Sequence, residues 1–194
     1  MTFEPDPVLT VELIKQGLDQ GKLPYATVTS NSMSPLFIQG DEVQIAPLNA
    51  ARLKPGIVIL LTSPAGLFAH RYWQSLSQPE GTFIITRGDR LPEFDPPTSD
   101  SCLVGEVVAR RRGSRQLSLT NGPGGWLNRS LATFSRWDAR LRNMDVVDLE
   151  LKNMSPSREG HRYEQQSLGT RIASRLLYTL AIVMTGLVSA TSKS

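Results

Sequence analysis

The chain predicts a mainly β protein, built as antiparallel sheets or a distorted barrel, with an N-terminal helix before it and helical appendages after it. Three observations carry this. Between Tyr25 and about Thr120, short β-rich runs recur between turn signals. No helical periodicity falls between those runs, which argues against a βαβ fold. At 8–20 and 126–142, on either side, apolar residues recur at helical spacing instead.

Each element has a local reason. Residues 1–7 read as a loose, proline-punctuated leader, lacking the basic region and apolar core of a secretory signal peptide. Over 8–20, Val8, Leu9, Val11, Leu13, Ile14 and Leu18 form one broad stripe, with Asp6 or Thr10 as cap and Gly21 as stop. Strands are predicted at 25–30, 41–46, 56–62, 67–74, 81–87, 102–109 and 115–120, punctuated by Pro55-Gly56, Pro64-Ala65-Gly66 and Pro79-Glu80-Gly81. Residues 88–101 are rich in Pro and Asp and form a long loop, a common carrier of function. Asn121-Gly122-Pro123-Gly124-Gly125 is a breaker and a domain edge. In the helix that follows, Leu127, Leu131, Phe134, Trp137 and Leu141 share one side. Residues 152–170 are polar and read as a linker, and Leu176 to Ala190 is uncharged and largely apolar.

Composition narrows the partners. The net charge is +3, but the arginines gather after position 110 while the first hundred residues lean acidic. That asymmetry suggests an anionic surface facing the C-terminal half, either a membrane or a partner. No helix-turn-helix or zinc pattern accompanies it, so no nucleic-acid partner is expected. The run Arg110, Arg111, Arg112 reads as a solvated strand end. Cys102 is the only cysteine, which excludes an internal disulfide and a cysteine-based metal site. It reads as a small core residue beside Leu103 and Val104. No cofactor or metal is expected.

The chemistry-bearing stretch is Ser30-Asn31-Ser32-Met33-Ser34-Pro35, followed by Gly40-Asp41. A serine hydroxyl is a poor nucleophile until a base takes its proton. His70 is one of two histidines, and histidine is the side chain able to take and return a proton near neutral pH, so it suits that task for Ser32. On a strand over 67–74, His70 shares a face with Phe68 and Tyr72, and Arg71 points the other way. Asp89 and Asp95 both lie on the following loop, and either can orient the imidazole. The Ser32 backbone N–H and the Ser30 hydroxyl are the nearest candidate oxyanion donors.

The order of motifs adds to this. Ser30-x-Ser32-Met33-x-Pro35, Gly40-Asp41-x-Val43, Pro55-Gly56-Ile57-Val58, His70-Arg71, Thr86-Arg87-Gly88-Asp89 with Asp95, and Val104-Gly105-x-Val107-Val108 follow one another. Over roughly residues 25–110 this succession resembles the type I signal peptidase family. No lysine lies between Lys54 and Lys152, so the resemblance is to the branch with a histidine base. It implies a β fold of signal-peptidase type, Ser32 as nucleophile, His70 as general base, Asp95 as the third member and Asp89 as part of a Gly-Asp box shaping the site. It also implies Ser30 as an oxyanion donor and small substrate side chains near the cut. Self-cleaving repressor domains share the fold and the Ser-Met-x-Pro corner but use lysine. Asn31 stands where the family usually has glycine, and Gly88-Asp89-Arg90-Leu91 where it usually has Gly-Asp-Asn-Asn.

The expected domains are a leader and helix at 1–24, a peptidase-like β domain at 25–120, a basic amphipathic helix at 121–145, and a polar linker with an apolar segment at 146–194. The expected function is a serine endopeptidase acting on a peptide or precursor protein. No N-terminal transmembrane anchor is predicted, which points to a specialised processing role, cytoplasmic or membrane-associated. Two other readings stand beside it: an inactive peptide-binding module of the same fold, and a membrane-associated scaffold. The helix at 126–142 is either packed on the β domain or interfacial on an anionic membrane. Segment 176–190 is shorter than the ~20 apolar residues of a spanning helix. It either spans, lies on a surface or covers an apolar groove. If it spans, Arg171 and Arg175 leave the catalytic region in the cytoplasm.

Overall fold

The computed structural model describes residues 7–64, 66–142, 144 and 168–191. Its centre is an eight-stranded, mainly antiparallel sheet that curls into a half-barrel, with helices toward both ends of the chain. The strands are β1 (Tyr25–Thr27), β2 (Glu42–Ala46), β3 (Val58–Ser63), β4 (Gly66–Gln78), β5 (Gly81–Arg87), β6 (Thr98–Ser99), β7 (Leu103–Arg112) and β8 (Arg115–Ser118). Their order is β1-β2-β7-β3-β4-β5-β6, with β8 paired to β7. Helix α1 (Pro7–Asp19) precedes the sheet, and α2 (Gly122–Leu141) and α3 (Leu168–Thr191) follow it.

The turn signals found the strands, and the register refined them. β1 stops at Thr27, because the chain leaves the sheet for the loop that carries Ser32. β4 runs on to Gln78, since the hairpin at 79–80 lets its second half, from Arg71, pair with β5. Leu36, Ile45, Leu61 and Ile84 are fully buried, each worth about 1.5–3 kcal/mol of transfer free energy. The largest apolar cluster joins Met33, Leu36 and Phe37 of the serine loop to Ile45, Val58 and Val107 of the sheet and to Leu127 and Leu131 of α2. The serine loop is thus rooted in the core.

Several expectations are corrected. Thr10 lies inside α1 and so does not cap it, and Asp6 lies outside the described residues. Of the α1 stripe only Ile14 is buried, with Leu18 partly so, while Val8, Leu9 and Leu13 face outward. The helix ends as expected: Gly21, at φ 71°, lets its own N–H reach the Leu18 carbonyl and the Lys22 N–H reach that of Gly17. Cys102 is half-buried in a short 3-10 turn and not in the core.

The arginine run is not a solvated strand end. Arg110 is 2% exposed, Arg111 pairs with Glu42, and Arg112 pairs with the buried Asp41. A register shift explains it. Ile45 faces Val107 and Val43 faces Arg110, so the bulge turns two β7 residues three apart toward the same side. Arg110 donates to the Leu36 carbonyl and to the Ser189 hydroxyl of α3. Burial, then Arg112, pushes its pKa down to about 10 against the opposing pull of Asp41.

The second helix packs on the β domain through Leu127, Leu131, Ala132 and Ala139, and leaves Trp126, Trp137 and Leu141 exposed. The apolar C-terminal segment is longer than 176–190. Residues 168–170 of the expected linker belong to α3, which over Gly169–Ala190 is long and apolar enough to cross a membrane. In the structure it packs against α2 and the core through Ala181 and Val188. The rest of the expected linker, with His161, lies outside the described residues.

Candidate active site

Ser32 sits on a loop from Val28 to Asp41 that closes on itself. Val28 N–H donates to Asp41 C=O, Gly40 N–H to Val28 C=O, and Phe37 N–H to Met33 C=O. The Asp41 carboxylate accepts the Ile38 N–H and a bidentate pair from Arg112 at 2.6 and 2.7 Å. Asn31 has a task of its own. Its Oδ1 accepts the Gln39 N–H at 3.0 Å and ties the two limbs of the loop together. Met33 and Phe37, both buried, anchor the loop in the core, and Ser32 lies next to that anchor.

His70 is at the fifth residue of β4. Its ring meets Phe68 edge-on at 5.4 Å, as alternation requires of two residues on one face. Tyr72, on that same face, lies opposite Thr86 of β5. Thr86 therefore shares the His70 face. The chain leaves β5 and then turns back, so that Asp95 N–H donates to Thr86 C=O.

These placements make one hydrogen-bonded line. The His70 Nε2 lies 2.9 Å from Ser32 Oγ, and its Nδ1 lies 2.6 Å from Asp95 Oδ2. With the proton on Nδ1 donated to the carboxylate, Nε2 is free to accept the serine hydroxyl. The same Asp95 oxygen accepts the Thr86 hydroxyl at 2.6 Å. His70 is buried and Ser32 is half-buried, so the imidazole is shielded while the hydroxyl stays reachable. Ser30 Oγ lies 3.2 Å from Ser32 Oγ. The Ser32 N–H donates to no other described residue.

Both aspartates left open by the sequence are therefore placed. Asp95 meets His70. Asp89 instead forms a bidentate pair with Arg71 at 2.7 and 2.6 Å. Arg71 also donates to Gly56 C=O and to Asn128 Oδ1 of α2. The turn carrying Asp89 is pinned to the serine loop by Arg90 N–H to Ser32 C=O at 2.9 Å. Gly88 makes that approach possible, because a Cβ there would sit 2.8 Å from the Ser32 carbonyl oxygen and 2.9 Å from Leu91. The sequence reading missed the roles of Thr86, Asn31 and Asn128. Thr86 stood in the motif Thr86-Arg87-Gly88-Asp89 and Asn31 in the serine motif as a departure from glycine; Asn128 carried no signal.

A cavity of about 260 Å³ adjoins Ser32 and His70, lined chiefly by Val28, Met33, Phe37, Phe68 and Ala69 with Ser30 at its edge. It is the size of a small side-chain subsite rather than a cofactor pocket. A larger cavity, about 380 Å³, lies away from that hydrogen-bonded line, between α2, α3 and the 89–90 turn. Among the described residues, no group of three or more His, Cys, Asp or Glu side chains could hold a metal ion. No family model matches the chain, and no curated protein matches it.

Proposed function

We propose that the chain is a serine endopeptidase of signal-peptidase type, with Ser32 as nucleophile, His70 as general base and Asp95 as the group that orients it. The observation that carries this is the unbroken line from Asp95 through His70 to Ser32, at 2.6 and 2.9 Å. Ser32 Oγ attacks the scissile carbonyl as its proton passes to His70 Nε2. The Ser32 N–H and Ser30 hydroxyl take the charge that develops on the carbonyl oxygen. His70 returns the proton to the leaving amine, leaving an acyl-enzyme on Ser32. Water, deprotonated by His70, then releases the acid and frees the serine. Asp89 is the site's support, since it neutralises Arg71 and holds the turn against the Ser32 carbonyl. The resemblance to the histidine-type branch, and the small apolar cavity beside Ser32, favour a substrate with small side chains near the cut.

The test is labelling with a fluorophosphonate, followed by location of the modified residue. Ser32 is expected to be labelled in the native chain, and His70→Ala and Asp95→Ala to suppress the label. An unlabelled Ser32 in a chain that still binds extended peptide would make this the inactive binding module instead.

A further inference from the structure

Helix α3 is packed inside out. Ser174, Ala181, Thr185 and Val188 face the protein. Ile172, Leu176, Leu180, Val183 and Leu187 face away, at steps of three and four that align them in one stripe. Leu176 and Leu187 are 66% and 64% exposed. Five large apolar side chains in line are more than the scattered exposure of an ordinary surface. The inner face, meanwhile, is occupied. Tyr178 Oη lies 3.1 Å from Ser34 Oγ, and Ser189 Oγ accepts from the buried Arg110 at 2.8 Å. The bare stripe therefore needs a partner outside the domain.

The charge at one end of α3 selects that partner. Arg90, Arg142, Arg171 and Arg175 line the 380 Å³ cavity, together with Asp89 and Asp138. Both carboxylates are already committed, Asp89 to Arg71 and Asp138 to Arg87 and Arg142. Arg90, Arg171 and Arg175 pair with no carboxylate among the described residues. Arg90 sits over the Tyr178 ring, 5.9 Å from its centre. The exposed Trp137 touches Phe134, which lines the same cavity. A second copy of the chain would bring two such arginine clusters together. An anionic lipid surface satisfies the arginines and the stripe at once.

We propose that α3 and this cavity dock the protein on an anionic phospholipid bilayer. α3 lies in the interfacial plane, its apolar stripe toward the acyl chains and its arginines toward headgroup phosphates, whose oxygens match guanidinium forks. In that orientation α3 keeps its bonds to Ser34 and Arg110, which a spanning helix would give up. Docking would also set the Ser32 loop at the lipid surface, because Arg90 and Tyr178 both contact it.

Flotation of the full chain tests this, with phosphatidylcholine vesicles and with vesicles containing added phosphatidylglycerol. The chain should float with the anionic vesicles alone, and less so as salt rises. Leu176→Asp with Val183→Asp, both on the exposed stripe, should abolish flotation. Arg171→Gln with Arg175→Gln should lower partitioning about 30-fold, from roughly 1 kcal/mol per arginine. Circular dichroism verifies that each variant is folded. Equal flotation on neutral vesicles, or none on anionic ones, overturns the proposal. So does self-association that Leu176→Asp reverses, or arginine-dependent binding of inorganic phosphate by a chain that does not float. Ser32→Ala should float like the native chain, which separates this result from the fate of the peptidase reading.

Discussion

Arg71 and Arg87 lie directly opposite one another across β4 and β5, each about 1% exposed, yet they serve different halves of the molecule. Like charges facing each other across a sheet destabilise it unless each is neutralised. Arg71 takes its carboxylate from Asp89, on the turn just beyond β5, and so holds the loop against Ser32. Arg87 takes its carboxylate from Asp138 on α2, and donates as well to the carbonyls of Leu91 and Ser135. Arg71 chiefly supports the site, with one further bond to Asn128 of α2. The other fastens the helical layer to the sheet. The contrast teaches that the Ser32 side and the helix side share a single charged seam, and that each can be loosened separately.

The sharpest way to break that comparison is to remove each cation in turn. Arg71→Met leaves Asp89 buried without a counter-charge, and should cost about 3–5 kcal/mol with loss of peptide hydrolysis. Arg87→Met leaves Asp138 still paired with Arg142, so the cost should be less, about 2 kcal/mol, and should fall on α2. Urea unfolding measures both costs, and hydrogen exchange localises the second. Equal costs for the two variants would mean that the seam is one network and not two attachments. Restoring most of the loss with Arg71→Met plus Asp89→Leu would identify the unpaired carboxylate as its source.

A smaller change sharpens the site half alone. Thr86→Val keeps the shape of a fully buried side chain but removes the hydroxyl that donates to Asp95. Among the described residues, the carboxylate side chain then has only His70 to bond. We expect kcat to fall about tenfold with little change in KM, the loss of one hydrogen bond to a charged group. A merely structural Thr86 would lower stability and leave kcat at the native value.

Much of this was legible in the chain, and the limits have physical causes. Turn residues such as Pro55-Gly56 and Gly66 act locally, so the strands they bound could be read off directly. Ser32 and His70 stood out because a hydroxyl nucleophile needs a base and the chain offers few. The choice between Asp89 and Asp95 was not legible from the residues alone. It depends on where the loop after β5 turns back to Thr86, and the motif order merely favoured Asp95. Arg110 was misread for a related reason. A single bulge between Gln44 and Ile45 reverses the alternation of β7, and no local signal marks it. The inward face of α3 escaped because small and hydroxylated residues at helical spacing do not look like a packing surface. Its outward leucines do, and they face away from the protein.

The gentlest test of the helical half is acid. Burial alone would raise the pKa of Asp138, but hydrogen bonds from Ser174, Arg87 and Arg142, with the charge of Arg87, outweigh it and leave the carboxyl below its ordinary value. The Ser174 hydroxyl lies against that carboxyl without completing well-formed hydrogen-bond geometry, so the two arginines are the stronger partners. The folded chain thus holds Asp138 ionised more firmly than the unfolded chain does. Its contribution is complete above the ordinary aspartate range, near pH 4, and disappears as pH falls through the lower folded value. Melting curves recorded from neutral pH downward should therefore steepen in the acid limb, with α2 losing exchange protection before the sheet. Asp138→Asn should start from a lower melting temperature and show a flatter acid limb. A parallel displacement of the two curves would show that Asp138 titrates alike in both states, and that the Arg87 attachment rests on the carbonyls of Leu91 and Ser135 instead.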